Sequence, residues 1–299
     1  MTNLIIVGTI GLDDVETPFG KVKSSLGGSG SYASLAASFF CRPGLVSVAG
    51  SDLPDKHWQL FSKNKIDTAG VEKTGKTFRW SGKYLFDMNE VKTKKTELNS
   101  LANFDPTLPP HFREAKFLFL GNIDPTIQLQ VLKQMKGKPF AAIDTMDYWI
   151  ELKKEKLLRV ISKIQLVVMN ESEARMLFDT PNLIKAGREL LNLGPDYAVI
   201  KKGEHGALFF SHNAFFSAPS YPLEEVKDPT GAGDSFAGGL MGYLTITGDT
   251  SEKNIRKGIV YGSIIASFCA EGFSLNYLSS TKLKDIKERY NLIKKIRKF

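Results

Sequence analysis

Short apolar runs alternate with helix-length segments along the first 200 residues, and this alternation constrains the fold more than any other feature. Runs at Leu4–Thr9, Leu45–Ala49, Phe117–Leu120, Phe140–Ile143, Leu166–Met169 and Ala198–Lys201 read as buried strands, each flanked by charge or glycine. Helical patterns lie between them at Ser31–Phe40, Asp55–Asn64, Thr126–Lys136, Ile150–Ile161, Glu171–Phe178 and Leu183–Asn192. The last third reads as long helices over Ala232–Thr245, Ser251–Ala270 and Thr281–Lys295. Strand–helix alternation predicts a parallel sheet with helices on both faces, because a helix makes each crossover. The predicted class is α/β, a three-layer α/β/α sandwich. Right-handed crossovers then gather the C-terminal strand ends along one edge, where ligands bind.

One segment departs from this pattern. Lys76 to Phe104 alternates large apolar with polar residues and contains no helix, so it reads as an antiparallel extension standing off the main sheet. The 299 residues, 42% hydrophobic and 24% charged, suffice for one large domain spanning 1–299 and exclude wholesale disorder. The net charge of +8 admits a nucleic acid, a membrane surface or an anionic substrate as partner. The basic residues are scattered and form no recognition helix, so a lysine-rich surface is the simpler reading and no nucleic-acid partner is expected. The lysine-rich tail from Lys284 to Phe299 keeps apolar spacing at Ile286, Tyr290, Ile293 and Ile296, which predicts an amphipathic surface helix.

Two cysteines exclude a disulfide scaffold, and four scattered histidines leave no zinc cluster. The stretch Ile259–Ala270 is too short to span a bilayer, and Leu4–Gly8 makes a poor signal peptide. A cytoplasmic location and no membrane partner are the expectation.

The sharpest local signal is the run from Val226 to Gly239, where Asp228 and Asp234 flank a turn of small residues that opens a helix. Gly231, Ala232 and Gly233 let the backbone approach a ligand with N–H groups pointing outward, and the helix N-terminus adds positive dipole. This is an anion hole suited to a phosphoryl group. A carboxylate at its lip, Asp234, can accept a hydroxyl proton during transfer. The bland alternative is an aspartate cap after a glycine turn. A Gly-x-x-x-x-Gly-Lys-[Ser/Thr] P-loop is absent, so phosphate cradling falls to Gly231–Gly233.

The run resembles the signature Asp-Thr-x-Gly-Ala-Gly-Asp of the ribokinase-like (PfkB-type) carbohydrate kinases, with Pro229 as a small change. Other motifs of that family follow in order. Gly8–Asp13 looks like the substrate-binding strand end, with Asp13 matching the carboxylate that holds substrate hydroxyls. Leu26–Gly30 looks like the di-glycine hinge, Gly27 and Gly28, between lid and core. Asn170 and Glu173 match Asn-x-x-Glu, which organises Mg2+ and phosphate through water. Lys201, Gly203 and Gly206 fall in the loop that lies along ATP. The resemblance further implies a ribokinase-like fold with a small β-strand lid formed by 12–25 and 76–104, and a K+ site at Asp228. A lid strand with an exposed face could pair with another subunit, which would make a homodimer through the lid.

Each of these residues also has a structural reading. Asn170 and Glu173 spell a capping box, Asp13 could cap a turn with Asp14, and Lys201 and Lys202 could simply be solvated. Phe78, Trp80 and Tyr84 alternate on the lid and could stack on a sugar or a base, or pack within it. Two departures bear on the acceptor. Ser29 and Ser31 or Tyr32 replace the polar residues that often follow the di-glycine, and Asp144-Thr145-Met146-Asp147-Tyr148 lacks the Arg of Asp-x-Asn-x-Arg. Asn122, at another strand end, offers a polar group in partial replacement.

The expected activity is ATP- and Mg2+-dependent phosphorylation of a hydroxymethyl group on a sugar-like molecule. A nucleoside kinase on the same scaffold is the first alternative, motivated by the aromatic lid and Tyr32. A non-catalytic sugar-binding protein is the second.

Overall fold

The computed structural model describes residues 2–296. Thirteen strands among these residues form two sheets. In chain order, β1 is Leu4–Val7, β2 Gly11–Thr17, β3 Gly20–Gly27, β4 Pro43–Ala49 and β5 Asp67–Lys73. They are followed by β6 Phe78–Tyr84, β7 Val91–Glu97, β8 Phe117–Leu120 and β9 Phe140–Ile143. The last four are β10 Leu166–Asn170, β11 Tyr197–Lys201, β12 Ala207–Ser211 and β13 Phe215–Ala218. The helices begin with α1 Ser29–Ala37, α2 Asp55–Lys63, α3 Pro125–Gln134, α4 Asp147–Leu152, α5 Lys154–Ile161 and α6 Glu171–Phe178. They continue with α7 Leu183–Asn192, α8 Ala232–Thr247, α9 Glu252–Ala270, α10 Asn276–Ser280 and α11 Leu283–Ile296.

The main sheet has nine strands in the order β13-β12-β11-β10-β9-β8-β1-β4-β5. The seven from β11 to β5 run parallel, and β12 and β13 add an antiparallel edge. Strand alternation sorts the side chains onto two faces. Ile5, Val7, Leu118, Leu120, Val167 and Met169 pack with α3, α5, α6 and α7. Leu4, Ile6, Phe117, Phe119, Leu166 and Val168 pack with α1, α8 and α9. Both faces of the sheet are dry, which makes this a three-layer α/β/α fold.

The sequence-derived strands all occur, with β1 ending at Val7 instead of Thr9. Three were not expected. β5 reads Asp-Thr-Ala-Gly-Val-Glu-Lys, a sheet-edge sequence whose charge and glycine hide it from an apolar-run criterion. β12 and β13 form a hairpin in the segment between β11 and the signature run.

The expected helix Ile150–Ile161 is two helices, α4 and α5. Lys153 breaks them apart with φ −137° and ψ 32°, outside the helical region. The tail helix forms as α11, with Ile286 and Ile293 buried, Tyr290 stacked on Tyr261 at 4.7 Å, and Ile296 exposed against expectation. Residues 297–299 of the predicted tail lie outside the described residues.

The second sheet orders its strands β3-β2-β6-β7. It combines the two expected lid segments. β2 leaves the main sheet just after β1, β3 returns to the di-glycine, and β6 pairs parallel with β2. No helix among the described residues is long and apolar enough to cross a membrane.

Candidate active site

The chemistry-bearing residues converge on the C-terminal edge of the main sheet, at the start of α8. Gly231 caps that helix in the left-handed region, φ 75°. A Cβ there would stand 2.3 Å from the ring of Tyr32, so the position excludes any side chain. The preceding turn is tied down by Asp228. Its Oδ1 accepts from Thr230 N at 2.9 Å and its Oδ2 from Ser274 N at 3.2 Å. Of the first-turn N–H groups of α8, that of Ala232 already donates to the Pro229 carbonyl at 3.1 Å, against the expectation that it faces a ligand; a helix start leaves the others without intrahelical partners and open to an anion.

Asp234 is the third residue of α8. Burial, with the Asp144 carboxylate adding to it and the Lys201 ammonium opposing, pushes its pKa up to about 7. A base titrating there is matched to neutral pH.

Lys201 corrects a sequence expectation, because it is not a solvated lysine. Its Nζ lies 2.7 Å from Asp144 Oδ2, with both side chains nearly buried. It also presses on the helix start: a Cβ on Gly233 would stand 2.9 Å from this ammonium. Desolvation opposes the charged form, but Asp144 and Glu173 outweigh it and hold Lys201 protonated. Asp144 is itself fixed. Its Oδ1 accepts from Thr145 N, and Gln128 Nε2 donates to the carbonyls of Gly121 and Asp144.

Asn170 and Glu173 form the full capping box of α6. Asn170 Oδ1 accepts from Glu173 N at 2.8 Å, and Glu173 Oε2 accepts from Asn170 N at 2.8 Å. Glu173 Oε1 accepts from Asn170 Nδ2 at 2.7 Å. Burial, then the charge of Asp144, raises the pKa of Glu173. Among the described residues no group of three or more His, Cys, Asp and Glu is arranged to hold a metal. The oxygens of Asn170 and Glu173 suit a hydrated Mg2+ reached through water, since direct ligation would break the cap. Gly203 and Gly206 bracket a single 3₁₀ turn after β11, at the rim of the same edge.

Asp13 lies across the cleft on β2 and is only 4% exposed. A Cβ on Gly27 would fall 1.8 Å from Asp13 Oδ2, so the first glycine of the di-glycine exists to admit this carboxylate. Asp13 Oδ1 is buried with no hydrogen-bond partner, an atom that needs a donor from a ligand. Burial first, then Asp228, Asp234 and Asp14, push its pKa up to about 8.

Asn122 follows β8, where its amide oxygen accepts from Trp149 Nε1 at 2.8 Å and its amide nitrogen donates to Met146 Sδ at 3.2 Å. Sequence reading missed Trp149 and Gln128, which carry no motif. It noted Asp144 only as part of a departed motif. On the small sheet, Trp80 donates its indole N–H to Thr93 Oγ1 and packs within the sheet, and Phe78 covers Gly11. Tyr84 alone of the three aromatics reaches the core signature, where its hydroxyl accepts from Thr230 Oγ1 at 3.3 Å.

Residues 6–276 match the family described as pfkB family carbohydrate kinase. The cytidine kinase of Thermococcus kodakarensis is 32% identical over 266 residues, which cover 87% of this chain and 94% of that protein. Among solved structures, the Methanocaldococcus jannaschii nucleoside kinase superposes with a TM-score of 0.77 at 18% identity, covering 97% of this chain and 99% of that one. A ribokinase II-type protein from E. coli in complex with ATP and Mg2+ superposes with a TM-score of 0.79 at 15% identity, covering 98% and 100%. At these identities the two structures share a fold with this chain.

Proposed function

We propose that this chain, which belongs to the pfkB family of carbohydrate kinases, transfers the γ-phosphoryl group of ATP to the hydroxymethyl group of a nucleoside. The observation that carries the chemistry is Asp234, a carboxylate titrating near neutrality at the N-terminus of α8. The similarity to a cytidine kinase over 87% of the chain favours a nucleoside as acceptor.

In this reading Asp234 accepts the proton of the acceptor hydroxyl as its oxygen bonds to the γ-phosphorus and the bond to ADP breaks. The N–H groups of Gly231 and Gly233 stabilise the charge on the transferring group, while Ala232 holds the turn closed through its bond to Pro229 O. Asp13 takes hydrogen bonds from sugar hydroxyls, with Gly27 and Gly28 giving room and Asn122 contributing a further contact. Lys201 adds a fixed positive charge near the phosphates, and the Gly203–Gly206 turn lies along the nucleotide. Asn170 and Glu173 would hold Mg2+ through water. When bound, the ion would screen the negative charge of the phosphate oxygens, so that the hydroxyl oxygen can approach the γ-phosphorus.

The small sheet acts as a lid over the acceptor, excluding water. Asp228 is the proposed anchor of a K+ ion, its buried carboxylate supplying a hard oxygen donor. Two copies would meet through a face of the lid, because the β7 edge carries Lys92, Lys94 and Lys95, which disfavour strand-to-strand pairing. A cytoplasmic setting, with ATP at hand and both thiols free, fits this role.

A free sugar is the second reading, favoured by the family's carbohydrate kinases, and it presents the same hydroxymethyl group. ADP formation from Mg-ATP with cytidine, other nucleosides and ribose separates the two. Asp234→Asn should lower kcat by about 10²–10⁴-fold. Near-normal kcat in that variant would sink the assignment.

A further inference from the structure

We infer that Trp149 is a positioning residue that locks the Asn122 amide with its NH2 group toward the acceptor, so that the site selects a nucleoside whose base presents an acceptor-only group such as a pyrimidine 2-carbonyl. This rests on the nucleoside reading above and deepens it.

Trp149 is the third residue of α4, which follows β9. Its Nε1 lies 2.8 Å from Asn122 Oδ1. An indole N–H can only donate, so the amide oxygen must face it and the NH2 group must face away. The partner of that NH2 is the Met146 thioether at 3.2 Å, a weak acceptor. A stronger acceptor on a ligand would displace it.

The residue has little freedom to move. Its carbonyl accepts from Ser29 Oγ at 3.0 Å, and Ser29 Oγ in turn accepts from Thr9 N. This chain of bonds ties Asn122 to the turn that carries Gly28. Lys153 places its ammonium 5.7 Å from the Trp149 ring and pairs with Asp124. Tyr148 packs edge-on to Trp149, with ring centroids 4.8 Å apart, and is half exposed.

The consequence is selectivity. A hydroxyl both donates and accepts, so it would satisfy an amide in either orientation. A base carbonyl only accepts, so it needs the orientation that Trp149 imposes. An isolated amide could flip; this one cannot without leaving the indole N–H unpaired.

The test is steady-state kinetics with cytidine, with a riboside lacking the 2-carbonyl, and with ribose. Wild type should favour cytidine over the carbonyl-free riboside. Trp149→Phe should raise KM for cytidine about 5- to 20-fold with kcat within about twofold, and leave the carbonyl-free riboside unaffected. Asn122→Asp keeps an acceptor for Trp149 but offers no donor to the base. It should abolish the same discrimination, and it serves if Trp149→Phe fails to fold. Unchanged discrimination in both folded variants overturns the inference and leaves the nucleoside reading standing. A wild-type enzyme that turns over ribose but no nucleoside overturns both.

Discussion

Asp13 and Asp234 are buried acids whose pKa values rise to about 8 and about 7. A pKa raised on folding means that ionisation costs the folded state. The stability involved is fully present below the unfolded value near 4 and is lost as pH rises through 8 for Asp13. Asp13→Asn should therefore be more stable than wild type at pH 8.5, by about 1–2 kcal/mol, with a smaller difference at pH 5. Urea unfolding at the two pH values checks this, and an equal difference at both would refute it. In its proposed role as base, Asp234 must be ionised, so kcat/KM should rise with pH through about 7 and then level. Gly231→Ala brings a methyl group against the Tyr32 ring at a left-handed position, and it should cost at least about 2 kcal/mol as well as activity. Gly27 and Gly231 stood out in sequence as motif letters. The reason each tolerates nothing larger lies outside the motif itself: a carboxylate on the paired strand β2 for Gly27, and an aromatic ring from the remote helix α1 for Gly231.

At the scale of elements, the Asn170–Glu173 pair shows two roles in one motif. The spacing predicts a capping box and the structure has it, with both reciprocal bonds. Its proposed metal role is separable from the cap. Glu173→Gln keeps the bond from the cap N–H but loses the one from Asn170 Nδ2, so the melting temperature should fall by only a few degrees. The Mg2+ concentration needed for half-maximal activity should rise, because the charge is gone. A Mg2+ titration with parallel thermal melts decides it, and an unchanged requirement would assign the pair to capping alone. Helix start signals were readable because they are local. The break at Lys153 was not, since both flanking segments keep helical periodicity while Lys153 bonds to Asp124 from another strand–helix connection.

Across the whole molecule, the small sheet meets the core signature through Tyr84 and Thr230. Tyr84→Phe removes one neutral hydrogen bond between the small sheet, the proposed lid, and the core, worth about 1 kcal/mol, so KM for the acceptor should rise about fivefold with kcat nearly unchanged. No change in acceptor KM would show that this contact plays no part in closure.

Local periodicity determined the α/β class, because a strand between two helical layers must be apolar throughout and only a few residues long. Local spacing likewise exposed the glycine turn before α8, since such a turn is a property of consecutive residues. Tertiary structure alone decided that Lys201 is buried against Asp144, that Trp149 orients Asn122, and that Asp13 carries an unpartnered oxygen. Each of these joins residues at least 27 apart in sequence or depends on a cavity between elements. Charge burial and hydrogen-bond partnership depend on which strand ends become neighbours, and sheet order is set by packing of the entire chain.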